Sequence, residues 1–403
     1  MERPNSRERM LNALENAGAC YVPCNIMLLR PDLQRKWGGQ FGAIEKQLDL
    51  GLDPKIEIPE LPFRFHPDVT VKVWKEKTES GPVLHQEFDT PGGKIKRIVN
   101  QTEDWPYSDS VPFLDDWLTP RCRKFLVEEE QDLEAFKYLL LEPTREDIIA
   151  FREQAKEYKR FGAERGLLIS GGWTRYITNK GLLNSVAGTM GADILFWICG
   201  VEQAIMMAID APKTLEELLK IVAIWNRKRM EIYLDEEIDL MVWRGYYEST
   251  DVWSPTIYRD FMLPILKEGV EITHQAGAKF AYIMTSGILP LVNYLLEAEI
   301  DALIGIDPAQ GRGNDVLLLK QTLGNKICLW GGVNRALTIE MGVEEDVRKE
   351  VEKSFSILAP GGGFILSPID GVGDIGPPVW DNLLTMIDSW KKMNEEIGAK
   401  IKC

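Results

Sequence analysis

From about residue 143 onward the chain repeats one rhythm: an amphipathic helical stretch, then a short apolar run that ends in polar residues. The runs are LLISGG (167–172), LMVWRG (240–245), KFAYIMTSG (279–287), DALIGID (301–307), KICLWGG (326–332) and FILSPID (364–370), and YVPCNIM (21–27) adds a seventh. Such runs read as parallel strands, because parallel neighbours need a crossover of a dozen or more residues, usually a helix. Two closures satisfy this rhythm, an open doubly wound sheet or a closed (β/α)8 TIM barrel. No GxGxxG or GxxxxGK[ST] follows any run, so the usual mark of a nucleotide-binding open sheet is missing. Polar and aromatic residues instead gather just past the run ends: Trp173, Thr174 and Tyr176; Arg244, Tyr246, Tyr247 and Glu248; Thr285 and Ser286; Asp307; Asn334 and Arg335; Asp370. In a barrel those ends converge on one mouth. The expected fold is an α/β chain forming a (β/α)8 TIM barrel.

Local signals place the helices. Ser6 caps a helix running to Ala17 with Gly18 as its stop, Thr144 with Asp147 and Thr214 with Glu217 have capping-box spacing, and Ser254-Pro255 fit the cap and first helical positions. Residues 53–110 have a different texture. DVTVKVWKEK, PVLHQEF and KIKRIVN alternate with a strand period and are separated by Gly- and Pro-containing turns. They read as a β-hairpin or small meander inserted near residues 65–101 of a single domain spanning 1–403.

Charge narrows the partners. Lys plus Arg number 47 against 62 Asp plus Glu, a net charge of −15, so the basic footprint of a nucleic-acid or anionic-lipid binder is missing. No apolar run reaches 18 residues and the charged N-terminus has no signal-like core, which leaves a membrane or secreted location unexpected. Six cysteines without a CxxC read as reduced thiols of a cytoplasmic protein. Twelve Trp stand against three His, little material for a multi-histidine metal site.

The order of motifs resembles the uroporphyrinogen decarboxylase superfamily, which also contains cobalamin-dependent methyltransferases. SPTIYRDFMLPILKEGVEITHQAG (254–277) resembles its Ser-Pro-x-x-(Tyr/Phe)-Arg-x-Phe-x-x-Pro helix, KICLWGGVNRALTIEMGVEEDVRKEV (326–351) its Gly-Asn-(Val/Leu)-Asp strand end, and GGGFILSP (361–368) its Gly-Gly-(Phe/Tyr)-Ile-Leu-Ser strand. VPCNIMLLRP (22–31) and ISGGWTRY (169–176) are similar to the first strand with its arginine and to the Gly-x-Pro-(Phe/Trp)-Thr strand end. The resemblance implies a barrel, and a homodimer.

The departures from the family pattern select among its activities. The decarboxylases carry two arginines four apart after the first strand; here Arg30 is followed four residues later by Gln34. Their essential aspartate after strand two has no placed counterpart, and their last-strand histidine is replaced by Ser367-Pro368-Ile369-Asp370. The zinc thiol methylases use His-x-Cys and a later Cys, where this chain has Met284-Thr285-Ser286 and Ser367, so a zinc site is not expected. What remains is a methyltransferase that demethylates a small methyl donor, such as an aryl methyl ether, and passes the methyl to a corrinoid protein that carries the cobalamin. A decarboxylase-like carboxy-lyase and a non-catalytic binding partner of the corrinoid protein are the alternatives.

In-line methyl transfer needs a fixed donor and a stabilised leaving group. Glu248, Asp307, Asp370, His274 and Tyr247 are the expected catalytic groups. Arg30, Trp173, Tyr176, Tyr246, Trp330, Asn334, Arg335 and Ser286 are expected to bind the substrate, the aromatics as flat walls or as a cage for a cation. Each has a plainer reading. His274, in the last turn of a helix, fits a cap; Asp307 and Asp370 fit helix N-caps; strand tryptophans fit the core; and Arg30 fits an ordinary ion pair.

Overall fold

The computed structural model describes residues 4–17, 20–27, 36–172, 177–178, 181–182, 189–309, 315–372 and 376–401. Among them, seven parallel strands lie side by side in chain order: β1 (Lys55–Glu57), β2 (Leu168–Gly171), β3 (Leu240–Arg244), β4 (Lys279–Ile283), β5 (Ala302–Ile306), β6 (Cys328–Val333) and β7 (Phe364–Pro368). Sequential order with helical crossovers curls the sheet. The line of β2 is resumed after an excursion, since the Thr189 N–H donates to the Gly172 carbonyl at 2.8 Å and Thr189–Met190 pairs with Trp243 and Arg244 of β3.

Strand alternation sorts the side chains onto two covered faces. The concave face carries Leu168, Leu240, Val242, Ala281, Ile283, Ala302, Cys328, Trp330 and Ile365 as one buried cluster. Met10, Ala13 and Leu14 of helix α1 (Ser6–Leu14) plug its lower end. The convex face, including Met241, Trp243, Phe280, Tyr282, Leu303, Leu329 and Phe364, packs against the helical layer. The sheet is thereby buried on both sides, as the near-continuous apolar runs require.

The run 21–27 was expected as a strand, but it forms one parallel bridge, Cys24 to Leu366. Asn25 N–H donates to the Leu366 carbonyl, Leu366 N–H to the Pro23 carbonyl, and Asp53 N–H to the Cys24 carbonyl. Pro23, which has no N–H, cannot lengthen the ladder. Buried Asp53 pins this region by accepting from Arg9 Nε at 2.7 Å, the Tyr21 hydroxyl at 3.0 Å and the Cys24 N–H at 3.1 Å.

Thr70–Thr78, Gly81–Thr90 and Gly93–Asn100 form an antiparallel meander, and Cys122–Lys124 adds a fourth strand beyond the 65–101 range. Arg97, fully buried in it, donates to the carbonyls of Pro112, Phe113 and Trp197.

The capping signals have mixed outcomes. Thr144 caps Arg145–Arg165 in a capping box with Asp147, and Ser254 accepts from Ile257 N–H with Pro255 in the first turn. Thr214 is not a cap. Its helix, Pro212–Leu234, starts two residues earlier at a proline whose fixed φ suits the first turn. α1 is capped by Asn5 rather than Ser6 and ends at Leu14, and Gly18 lies outside the described residues. The expectation of six reduced thiols is corrected as well: Cys20 is disulfide-bonded, while Cys24, Cys122, Cys199 and Cys328 are free. Among the described residues no single helix is long and apolar enough to cross a membrane.

Candidate active site

Parallel strands running in one direction place all their C-terminal ends on one face, and a cleft of about 950 Å³, including its open side, lies there. Its walls are largely apolar. Val242, Ile283, Ile304 and Trp330 come from concave-face positions of β3 to β6, Ile26 and Met27 from the bridging segment, and Tyr246 from the turn after β3. Gln40, Ala43, Ile44 and Gln47 of helix α2 (Gly39–Asp49) line the same space, which therefore extends from the concave face out to a helix.

Charge enters from two places. Lys55 and Glu57, two residues apart on β1, both turn to the concave face, while Ile56 between them is fully buried on the other. The Lys55 ammonium is paired with the Glu57 carboxylate and donates to the Ser170 hydroxyl at 3.2 Å. Their side chains are only 11% and 14% exposed. Asp370 stands past β7 with a left-handed φ of +57°, a conformation that aspartate tolerates better than most residues. Among the described residues its buried Oδ1 has no hydrogen-bond partner.

Beside the cleft lies a second assembly, built around Arg244 at the end of β3. The guanidinium is 3% exposed and meets Asp193 at 2.8 Å and Asp116 at 3.0 Å. Three rings surround it, with centroids 4.5 Å (Trp197), 5.0 Å (Tyr247) and 5.1 Å (Tyr246) away. Asp116 Oδ1 also accepts from the Tyr247 hydroxyl at 2.8 Å and Trp197 Nε1 at 3.1 Å. Of the aromatics expected to wall or cage a substrate, Tyr246 thus already packs on a cation of the chain itself.

The expected site residues separate sharply. Tyr246, Trp330 and Asp370 line the cleft. Arg30, Trp173 and Tyr176 lie outside the described residues. The others do not line it. His274 is at the opposite end of the sheet: its Nε2 lies 2.7 Å from Asp301 Oδ2, just before the start of β5. A helix that precedes a strand ends where that strand begins, which is the face away from the mouth. Glu248 is buried between the β3 turn and β4, bonded to the Tyr282 hydroxyl and accepting from Asp193 N–H at 3.2 Å. Burial, and then the charge of Asp193, push its carboxyl well above the usual range and hold it neutral. Asp307 is fully buried and takes both Asn334 Nδ2 contacts, at 3.0 and 2.8 Å, while Asn334 Oδ1 caps the next helical turn through Leu337 N–H. Arg335 pairs with Glu340 at 3.4 Å, Tyr247 belongs to the Arg244 assembly, and Ser286 is half-buried away from the lining.

Lys55, Glu57, Asn25 and the α2 glutamines were missed. The signal for the first pair was present: charges at alternate positions of KIEIPE, flanked by isoleucines, mark a strand with a polar interior face. Among the described residues no group of three or more His, Cys, Asp or Glu could hold a metal ion.

Solved structures resemble the chain to differing degrees. A methyltransferase from Methanosarcina mazei superposes with a TM-score of 0.56 at 15% identity, covering 98% of this chain and 99% of its own. A B12-independent methionine synthase from Shewanella, in complex with selenomethionine, gives a TM-score of 0.45 at 11% identity over 94% and 95% of the two chains. No curated protein matches. The sequence model of the family described as uroporphyrinogen decarboxylase (URO-D) matches residues 189–390, half of the chain and all of the sheet from β3 onward. The chain belongs to the uroporphyrinogen decarboxylase family.

Proposed function

We propose that the chain is a methyltransferase component that demethylates a small donor in the cleft, an aryl methyl ether as the leading class, and passes the methyl to cobalt in a corrinoid carried by a partner protein. In this reading the segment 21–27 acts as the eighth stave, closing a (β/α)8 barrel between β7 and β1 through the Cys24 and Asp53 hydrogen bonds. The observation that carries the function is the lining. Trp330, Tyr246 and aliphatic side chains make flat apolar walls, and among the described lining residues the one cation, Lys55, is already shared with Glu57.

A porphyrinogen bearing many carboxylates asks for several cations in the cavity that holds it. This lining answers a neutral or weakly polar ring instead. Methyl transfer is an in-line displacement, so catalysis rests on holding the donor against its acceptor and on stabilising what departs. Trp330 and Tyr246 would hold the ring, and the orphaned Asp370 Oδ1 would accept from a hydroxyl or N–H on it. The corrinoid supplies the methyl acceptor when its protein docks at the mouth; no described residue is assigned to bind it. The methyltransferase named among the structures of like fold agrees with this reading.

The test is anaerobic incubation of the full chain with a reduced Co(I) corrinoid protein and a panel of methoxy-aromatics and methylamines, following methylation of the corrinoid by absorbance. Methyl transfer from a methoxy-aromatic is expected. Absence of transfer from every donor overturns the proposal, and carbon dioxide release from a porphyrinogen would establish the lyase in its place.

A further inference from the structure

We infer that Lys55 is the general acid of the cleft, delivering a proton to the leaving oxygen as the methyl group departs; this rests on the methyl-transfer reading above. An ion pair turned to the concave face of a barrel-like sheet is an unusual use of a core position. Desolvating two charges costs several kcal/mol per ion, and a well-packed apolar pair is often the more stable filling. The Lys55–Glu57 pair is nevertheless there, under one-sixth exposed, in a lining that is otherwise mostly apolar.

Its geometry is that of a poised donor. An ammonium has three N–H bonds. Glu57 and the Ser170 hydroxyl take two of those of Lys55, and among the described residues nothing takes the third. Lys55 lines the same cleft as Trp330, Tyr246 and the unpartnered Asp370 Oδ1, so the space holds one open donor and one open acceptor. A ring with an ether oxygen toward Lys55 and a hydroxyl toward Asp370 satisfies both. In the step, the O–CH3 bond breaks and its electron pair stays on oxygen. The methyl carbon bonds to the electron pair of the Co(I) corrinoid, and the oxygen takes the Lys55 proton to leave as a neutral phenol. Water then returns a proton to the Lys55 amine.

Leaving-group dependence separates this role from a merely structural one. The probes are free cob(I)alamin as acceptor and four donors: anisole, 2-methoxyphenol, 4-methoxybenzonitrile, whose phenolate leaves readily, and tetramethylammonium, whose amine leaves neutral. Lys55→Met is expected to slow 2-methoxyphenol and anisole by roughly 10²–10⁴-fold, 4-methoxybenzonitrile much less, and tetramethylammonium by under about threefold. An equal loss for all donors, or no loss for any, overturns the role of Lys55 while wild-type transfer stands. Absence of transfer by the wild type overturns the methyl-transfer reading itself. Circular dichroism checks folding of the variant; if Lys55→Met does not fold, Glu57→Gln, which keeps the ammonium but removes its anionic partner, carries the test. It is expected to rank the donors in the same order with smaller losses, and a uniform loss overturns the proposal.

Discussion

Replacing Arg244 with methionine keeps most of the stem volume and removes the charge at the centre of the assembly beside the cleft. Asp193, fully buried, then loses the guanidinium nitrogen 2.8 Å from its carboxylate. Two unit charges at that separation attract by ~6 kcal/mol at an effective dielectric near 20. Desolvation cancels most of this in the intact pair, so the pair's net worth is small. Removing one partner is different, because it strands the other ion, at a cost of roughly 3–5 kcal/mol. Asp116, whose side chain is 36% exposed, is screened by solvent and adds little. For 403 residues at ~2.1 cal/mol/K per residue, that loss lowers the melting midpoint by ~4–6 °C. Burial raises the Asp193 carboxyl, so without the guanidinium it protonates readily and Arg244→Met is least destabilised in acid. Urea unfolding followed by tryptophan fluorescence gives the loss directly. The decisive comparison adds Asp193→Asn, which should recover about half of it by removing the stranded charge. A loss under about 1 kcal/mol for Arg244→Met, or a double variant as unstable as the sum of the singles, refutes the reasoning.

Glu248 gives a pH test. Burial, then Asp193, push its carboxyl up to about 8 from the ordinary 4.5, so the native state keeps a proton that the unfolded chain releases, and stability falls as pH rises from 4.5 to 8. Glu248→Gln should flatten that slope, matching the wild type near pH 5 and exceeding it at pH 8 in urea midpoints measured across the range. Gly245→Ala would set a methyl 2.2 Å from Cε2 of the Tyr282 ring, which is fully buried with its hydroxyl on Glu248, and a loss of at least ~1–3 kcal/mol in chemical denaturation is expected. Thr144→Ala removes the acceptor of the Asp147 N–H at the start of Arg145–Arg165 and should cost ~1 kcal/mol by the same measurement.

The sheet was legible where strands are apolar on both faces. β2 to β7 each coincide with an expected run, β6 passing its end by one residue, because helices cover one side of them and the concave cluster the other. β1 escaped because its concave-face positions are Lys55 and Glu57, so its three residues carry no apolar run, only Ile56 between charges. That omission also hid the charged part of the cleft. The expectation that polar residues past strand ends would share one cavity is met in position by Tyr246, Thr285 and Asp370. It failed where a strand end also needs its own backbone satisfied: Asn334 caps the turn after β6 and Asp307 receives its amide, uses that spacing in the sequence does not separate from catalysis. His274 could have been set aside from topology alone, since it ends a helix that precedes β4.

The Arg244 assembly changes what the abundance of aromatic residues means for the cleft. Tyr246 was expected to bind the substrate and Tyr247 to act in catalysis, yet both pack with Trp197 on Arg244, and of the three only Tyr246 also lines the cleft. Its ring is therefore held by a cation that is itself fixed between two carboxylates. One of those, Asp116, comes from the stretch between the third and fourth strands of the antiparallel insert, and Arg97 within the insert holds the Trp197 carbonyl. The insert thus reaches the cleft wall through two buried arginines rather than through contact with the cleft, supplying the packed second layer that keeps a binding wall in place. A wall locked in this way suits a rigid flat ligand, because the cost of ordering the site was met when the chain folded and binding need not meet it again.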